Sequence, residues 1–554
     1  MREAKADGKP FSIVVVKAIS NRKILPEGKI PDAEPSRRIH VTVAPGGYQP
    51  ASFVVQANQR LVNLKPTCSD LRSADNILGA SHIDIKVVKC WYQGCVSGDI
   101  QYAYCPGGPK RVLMPELLLH DSSLVTVNAQ TKTNYLRIRE GDREKYIDIS
   151  RQSGDPRHYR PNEGPDTDVT LPGNVTFDDS VALRPVTLPP GENLQFWVTV
   201  SVPPDTPPGL YEGSLTIAAA NAGPETVPLL VNVLPFTLDA PMVEYGLYYR
   251  GRLTGKNPER VGSEEKNEIQ LRAEMADMAR HGVVSCTVTQ NYVPSEPARF
   301  GKFLEIMRSA GLGDTLYMLW VGDYYNDKDK TSRLLVFARK AGFRDVYFYG
   351  GDELEPAQAQ ARRESWRTMQ GRGGKIFSAL EKAAYSVPDI LDLAVVSRIR
   401  DPQLAKAYHD HGHRVFSYGI PQVGVEEPET YRRSYGLTLW KAGYDGAMLY
   451  AYQHAWGCIW NDFDGYFRDH VFAYPTTNGV VDTIEWEGFR EAVTDVRYVT
   501  TLVNLVRKAK GAGVPTTDVE MWLSGIDPDG DLDLIRSGVI ERIIRLKSKI
   551  AHTS

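Results

Sequence analysis

The chain has 554 residues, a formal net charge of −3 and 42% hydrophobic residues, so two or three soluble-type domains are expected. No basic surplus points to nucleic acid, and no acidic run resembles a disordered tail. No apolar stretch reaches the length of a membrane span.

The apolar run from Phe11 to Val16 is too short for a signal core. Two readings stand: a cytoplasmic protein, or an exported one (periplasmic or extracellular) whose signal is absent from this chain. Cys68, Cys90, Cys95 and Cys105 cluster early, which favours export. Their spacing fits no common zinc pattern and leaves a disulfide or free buried thiols. Cys286 and Cys458 stand alone, and Asn174-Val-Thr176 matches a glycosylation sequon.

From residue 1 to about 237 the pattern is short β-type runs between Pro, Gly and Asn/Asp turns. Ile39–Val43, Ala51–Gln56 and Ile83–Val88 alternate as half-buried strands do, and Phe196–Val202, Leu215–Ile217 and Val227–Val233 follow. This predicts a β-sandwich region whose second half, from Leu188 to Val233, is fibronectin-like. Residues 154–168 form a polar, Pro-rich loop.

Leu234–Pro241 reads as a linker, after which strands alternate with helices as in βα units. Over residues 238–510 the expected strands are 243–249, 283–289, 315–321, 346–349, 391–396, 414–418, 446–452 and 471–474. The expected helices are 264–281, 298–310, 332–341, 363–385, 403–412, 428–442 and 486–506. Gly282, Gly311 and Gly342 stand where helix C-caps belong. Eight such units predict a (β/α)8 TIM-like barrel. Residues 511–554 read as a short helical tail, with Asp527-Pro-Asp-Gly-Asp-Leu-Asp533 as a turn and N-cap. The whole is a multidomain β plus α/β protein.

The chemistry concentrates behind the fourth barrel strand, in Gly350-Gly-Asp-Glu353. Carboxyl ends of barrel strands carry catalytic groups. Two glycines permit a sharp turn there, so Asp352 and Glu353 can share one pocket although strand neighbours cannot. A solvated acidic helix start is the plain alternative for the pair. Many retaining glycosidases keep an acid/base here and a carboxylate nucleophile behind the seventh strand. The stretch Leu449-Tyr-Ala-Tyr-Gln-His-Ala-Trp456 has no acid, so a pair about 5 Å apart on facing strands is unsupported. Adjacent carboxylates fit substrate assistance instead: a 2-acetamido oxygen attacks the anomeric carbon, Asp352 orients that group, and Glu353 protonates the leaving oxygen.

Aromatics crowd the strand ends, among them Trp320, Tyr324, Tyr325, Tyr418, Tyr452, Trp456 and Trp460. Together they point to a sugar-stacking pocket, although each alone reads as core. Asp323, Gln453 and His454 are the polar partners expected for hydroxyl or acetamido groups. His409, His411 and His413 fall at a helix end on the opposite barrel face and read as surface or capping residues, so no metal is expected.

Gly351-Asp-Glu353 after a fourth barrel strand resembles family 123 glycoside hydrolases. So does the closing segment from Phe472-Ala-Tyr-Pro through Trp486-Glu and Arg490-Glu to Tyr498. Ala492-Val493 stands where that pattern has Gly-Ile, and Val496-Arg497 where it has Tyr-Glu. Gly46-Gly-Tyr-Gln-Pro-Ala-Ser-Phe53 is similar to the sandwich preceding such barrels. The resemblance implies an exo-acting, retaining β-N-acetylgalactosaminidase (or β-N-acetylhexosaminidase) without cofactor. Asp352 and Glu353 are carried over by motif, and a glycan or glycoconjugate is the partner. The alternatives are a hydrolase of a different glycan and a barrel that binds glycans without hydrolysing them.

Overall fold

The computed structural model describes residues 8–553 apart from 35, 95–109, 152–170, 256, 257, 259, 320 and 465–467. The expected loop at 154–168, Cys95, Cys105 and Trp320 therefore lie outside the described residues. Cys68 and Cys90 are free thiols.

The N-terminal part builds two main sheets. One runs in the order Phe11–Val16, Tyr48–Ala57, Asn193–Ser201, Ile83–Gly94, Arg111–Leu119. The other runs Val186–Leu188, Leu61–Cys68, Gly209–Ala219, Ala222–Val233, Ile39–Val43, with two short strands at its side. Period-2 alternation sorts each strand's side chains. Phe196, Val198 and Val200 enter a core shared with Val227, Leu229 and Val231 of the other sheet. Trp197 points the opposite way, toward Ile19, Val88, Leu118 and Ile484. A third small sheet is formed by Val125–Asn128, Thr133–Glu140 and Arg143–Asp148.

A closed parallel barrel follows, made of Glu244–Leu247, Ser285–Val288, Thr315–Met318, Asp345–Tyr349, Lys375–Leu380, Leu393–Ser397, Arg414–Tyr418 and Gly446–Leu449. Its lumen is filled by Tyr317, Tyr347, Phe377, Leu393, Val395, Phe416 and Met448, as barrel interiors are. At the bottom, Glu244 accepts hydrogen bonds from Arg414 (2.8 Å), Tyr317 (2.9 Å) and Ser285 (2.9 Å).

Two strand assignments need correction. Residues 363–385 are not one helical stretch: the helix Arg363–Gly371 ends, and Lys375–Leu380 becomes the fifth strand. Leu393–Ser397 is then sixth, Arg414–Tyr418 seventh and Gly446–Leu449 eighth. The eighth pairs directly with the first, Glu244 opposite Gly446 and Leu247 opposite Leu449. The expected strand at 471–474 lies outside the barrel, where His470–Val471 and Ala473–Pro475 join two-stranded sheets. The fifth strand is buried on both faces, so it lacks the alternation that distinguishes strand from helix.

The helix Ile484–Gly511 closes the barrel, and Thr517–Ser524 and Leu532–Thr553 complete the tail. Buried charges bind these pieces: Arg432 Nε lies 2.8 Å from Asp495, and Arg536 lies 2.6 Å from both Asp495 and Glu491. Asp531 accepts from the amides of Asp533 and Leu534, so the acidic run there is a turn and helix start. Among the described residues no helix is long and apolar enough to cross a membrane.

Candidate active site

The fourth strand leaves the barrel through a turn that only glycine permits. A Cβ on Gly350 would lie 2.7 Å from Ile376 Cγ2 and 2.8 Å from Trp366 Nε1, and Gly351 has φ +148°. Both carbonyls are tied down: Trp366 Nε1 donates to Gly350 (3.2 Å) and Ser378 Oγ to Gly351 (2.6 Å). Glu353 then adopts φ +43°. A non-glycine residue pays of order 1 kcal/mol for that conformation. The clamped turn thus fixes the direction in which both carboxylates leave the strand.

Asp352 and Glu353 are exposed at the barrel mouth. Tyr349, the last residue of the fourth strand, donates to Asp352 Oδ1 at 2.6 Å. Tyr418, the last of the seventh, donates to Glu353 Oε1 at 2.9 Å. Between them stands Tyr248, just beyond the first strand, its ring centroid 6.4 Å from both Tyr349 and Tyr418 and 5.4 Å from Tyr450. Burial, together with the neighbouring carboxylates, pushes the phenols of Tyr248, Tyr349 and Tyr418 well up. These tyrosines therefore stay protonated, and Tyr349 and Tyr418 donate to the two carboxylates.

Tyr450, just past the eighth strand, extends the wall. Its hydroxyl lies 2.8 Å from His454 Nδ1 and accepts from Arg250 at 3.2 Å, while Arg250 also binds Glu264. Burial and the Arg250 charge hold His454 well below the usual histidine range, so its imidazole is neutral. The His454 and Trp456 rings are 4.3 Å apart, and His470 packs 5.0 Å from Trp456. Asp323 lies on the short helix Gly322–Asn326 beyond the third strand, 81% exposed and 3.4 Å from Lys330.

Several expected pocket residues lie elsewhere. Tyr452 is 0% exposed and donates to Asp277 at 2.8 Å; Gln453, also 0%, accepts from Lys266 at 2.9 Å and donates to the Ala473 carbonyl. Trp460 is 0% exposed, donates to the Pro475 carbonyl at 2.8 Å and packs between Trp91 and Tyr474. Tyr324 is buried against Asn291 and Tyr292. The eighth strand ends at Leu449, so the chain bends before Tyr452 and turns these side chains into the core. Trp460 instead joins the first sheet to the loop after the barrel. We expect Trp460→Ala to lower the melting temperature clearly, since emptying a buried Trp site costs about 3–5 kcal/mol.

The residues missed from sequence are Tyr248, Tyr349 and Tyr450. Each stands at or just past a strand end, the position that also marks Tyr418. His409 and His413 are spoken for away from the mouth, by Asp445 and by the Pro388 carbonyl.

The fold and mouth define a (β/α)8 barrel with two adjacent carboxylates, each fixed by a tyrosine on a different strand. In fold the chain is similar to a family 123 glycoside hydrolase from Clostridium perfringens, at 11% identity, covering 98% of both chains with a TM-score of 0.61. The GH5 xyloglucanase of Bacteroides ovatus (9% identity, 87% of this chain and 100% of that one, TM-score 0.28) aligns too loosely to carry any argument. The same holds for CdNal of Clostridium difficile (12%, 56% and 99%, 0.24). No family model and no curated protein matches the sequence.

Tyr418→Phe removes the donor to Glu353 while leaving the ring. Hydrogen bonds to charged groups contribute about 1.5–3 kcal/mol when well shielded, and less at an open mouth. We expect kcat/KM to fall about tenfold with melting temperature unchanged, read by steady-state kinetics and calorimetry.

Proposed function

We propose that the protein is a retaining exo-glycoside hydrolase that releases terminal β-linked N-acetylgalactosamine by substrate-assisted catalysis. The observation that carries this reading is the Asp352–Glu353 pair held by Tyr349 and Tyr418. The seventh-strand end, where a carboxylate nucleophile would stand, presents Tyr418 instead. The similar Clostridium perfringens protein is a family 123 enzyme of glycolipid glycan hydrolysis, which agrees with this reading.

In the proposed reaction the acetamido oxygen attacks the anomeric carbon as Glu353 gives its proton to the leaving oxygen. Asp352 accepts the acetamido N–H and offsets charge on the forming oxazoline ring. Glu353, now ionised, takes a proton from water as that water opens the ring, so two inversions give net retention. Trp456 offers a stacking face, neutral His454 and Asp323 offer hydroxyl partners, and Tyr248 and Tyr450 floor the pocket. The two N-terminal sheets with their common core are read as a β-sandwich, residues 1–237, that supports the barrel of 238–510 and the tail of 511–554.

Aryl β-N-acetylgalactosaminide, β-N-acetylglucosaminide and β-galactoside substrates test the reading together. It expects turnover of the first above the second and none of the third. Turnover of the galactoside alone would assign a different glycan, and binding without turnover of any would leave a glycan-binding barrel.

A further inference from the structure

The hydrogen bonds along the Tyr450 side of the barrel mouth run in one direction. Glu264 anchors them, its carboxylate accepting from Arg250 Nε at 3.0 Å and from Arg252 Nη2 at 2.7 Å. Pairing of Arg252–Leu253 with Glu265–Lys266 brings these charges together just past the first barrel strand. Arg250 Nη1 then reaches Tyr450 Oη at 3.2 Å, and that oxygen lies 2.8 Å from His454 Nδ1.

A guanidinium has no acceptor, so the Tyr450 oxygen accepts from Arg250. Its own single proton goes to another partner, which among the described residues is His454 Nδ1. Burial keeps His454 neutral, so it carries one ring proton. The bond made by one ring nitrogen settles the state of the other. Nδ1 accepts, and Nε2 therefore carries the hydrogen. Neighbouring His470 shows that this choice is not automatic. Its Nδ1 lies 2.8 Å from the Val423 carbonyl, which can only accept, so His470 holds its proton on Nδ1.

His454 Nε2 has no hydrogen-bond partner among the described residues, yet it is not sealed from water. The ring is half-buried and stands 4.3 Å from that of Trp456. Tyr450 packs 5.4 Å from Tyr248, which stands between the two tyrosines that hold Asp352 and Glu353.

We propose that Arg250 and Tyr450 are positioning residues that hold His454 in its Nε2–H form, giving the mouth one fixed N–H donor for an acceptor oxygen of the terminal sugar. A ring free to exchange its proton would present a donor and a lone pair in turn. Fixing it beforehand removes that cost from binding. The sugar half of this inference rests on the proposed glycosidase reading; the proton's position does not.

The test uses the full chain with both histidine ring nitrogens isotope-labelled and read by NMR. The His454 signals are assigned by their loss in His454→Gln. In the free wild type Nδ1 should be unprotonated and Nε2 protonated, and Tyr450→Phe should give a mixture of the two forms. N-acetylgalactosamine should shift the Nε2 resonance saturably. Its midpoint should weaken about tenfold in Tyr450→Phe, the worth of one neutral hydrogen bond. The proposal is overturned if wild-type His454 is protonated on Nδ1, a result that depends on no variant folding. It is overturned equally if Tyr450→Phe, folded by circular dichroism, keeps the wild-type proton position and midpoint. Should that variant not fold, an unchanged proton position in Arg250→Met decides against it. No shift at His454 with the sugar overturns the donor role, and turnover of aryl β-N-acetylgalactosaminide would then show that only this inference has failed.

Discussion

Glu353→Gln is expected to lose activity on glycosides with poor leaving groups and to keep a measurable fraction on activated aryl glycosides. A general acid contributes about 10²–10⁴-fold when the departing oxygen is strongly basic. A nitrophenolate needs almost no protonation to leave, so the same substitution costs much less there. The variant keeps the shape of the side chain and an acceptor for Tyr418, whose hydroxyl lies 2.9 Å from Glu353 in the wild type. The loss therefore reports the proton rather than a collapsed turn. Rates should be compared across leaving groups of graded acidity. An equal loss on every substrate would remove Glu353 from the acid role.

Asp352→Asn is expected to cut kcat by about 10²–10³-fold, or about 3–4 kcal/mol of barrier, while KM changes little. The reason is timing. Positive charge develops on the acetamido group only as the ring closes, so the carboxylate's benefit is realised in the transition state and not in the ground state. Tyr349 holds Asp352 at 2.6 Å and orients it before substrate arrives. Asn can still accept from Tyr349 but carries no charge. A thiazoline analogue of the intermediate should accordingly inhibit the wild type strongly and the variant weakly. Matching inhibition of both would exclude a charge-stabilising role.

Much of this was legible in the sequence, for local reasons. Gly350-Gly351 before two carboxylates marked the strand exit, because the turn depends on backbone freedom that only glycine supplies. Tyr418 at a strand end was legible in the same way. The fifth strand was not, since Ile376–Leu380 is buried throughout and carries no period of its own; the run Gly371-Arg-Gly-Gly374 was the one available stop signal. That error moved every later strand by one. Separately, the strand expected at 446–452 ends at Leu449, which puts Tyr452 and Gln453 beyond a bend and in the core. Trp460 could not be assigned locally at all. Its neighbours Trp91 and Phe177 come from some three hundred residues away in the chain.

The mechanism turns on which atom attacks the anomeric carbon, and one kinetic series addresses that directly. Aryl β-N-acetylgalactosaminides bearing acetyl, fluoroacetyl, difluoroacetyl and trifluoroacetyl groups differ mainly in the nucleophilicity of the amide oxygen. If that oxygen attacks, log(kcat/KM) falls at each added fluorine, with leaving group and contacts held constant. A flat series would contradict the account. It would shift attention to an enzyme carboxylate as nucleophile, with Glu381, exposed just past the fifth strand, as the first to replace.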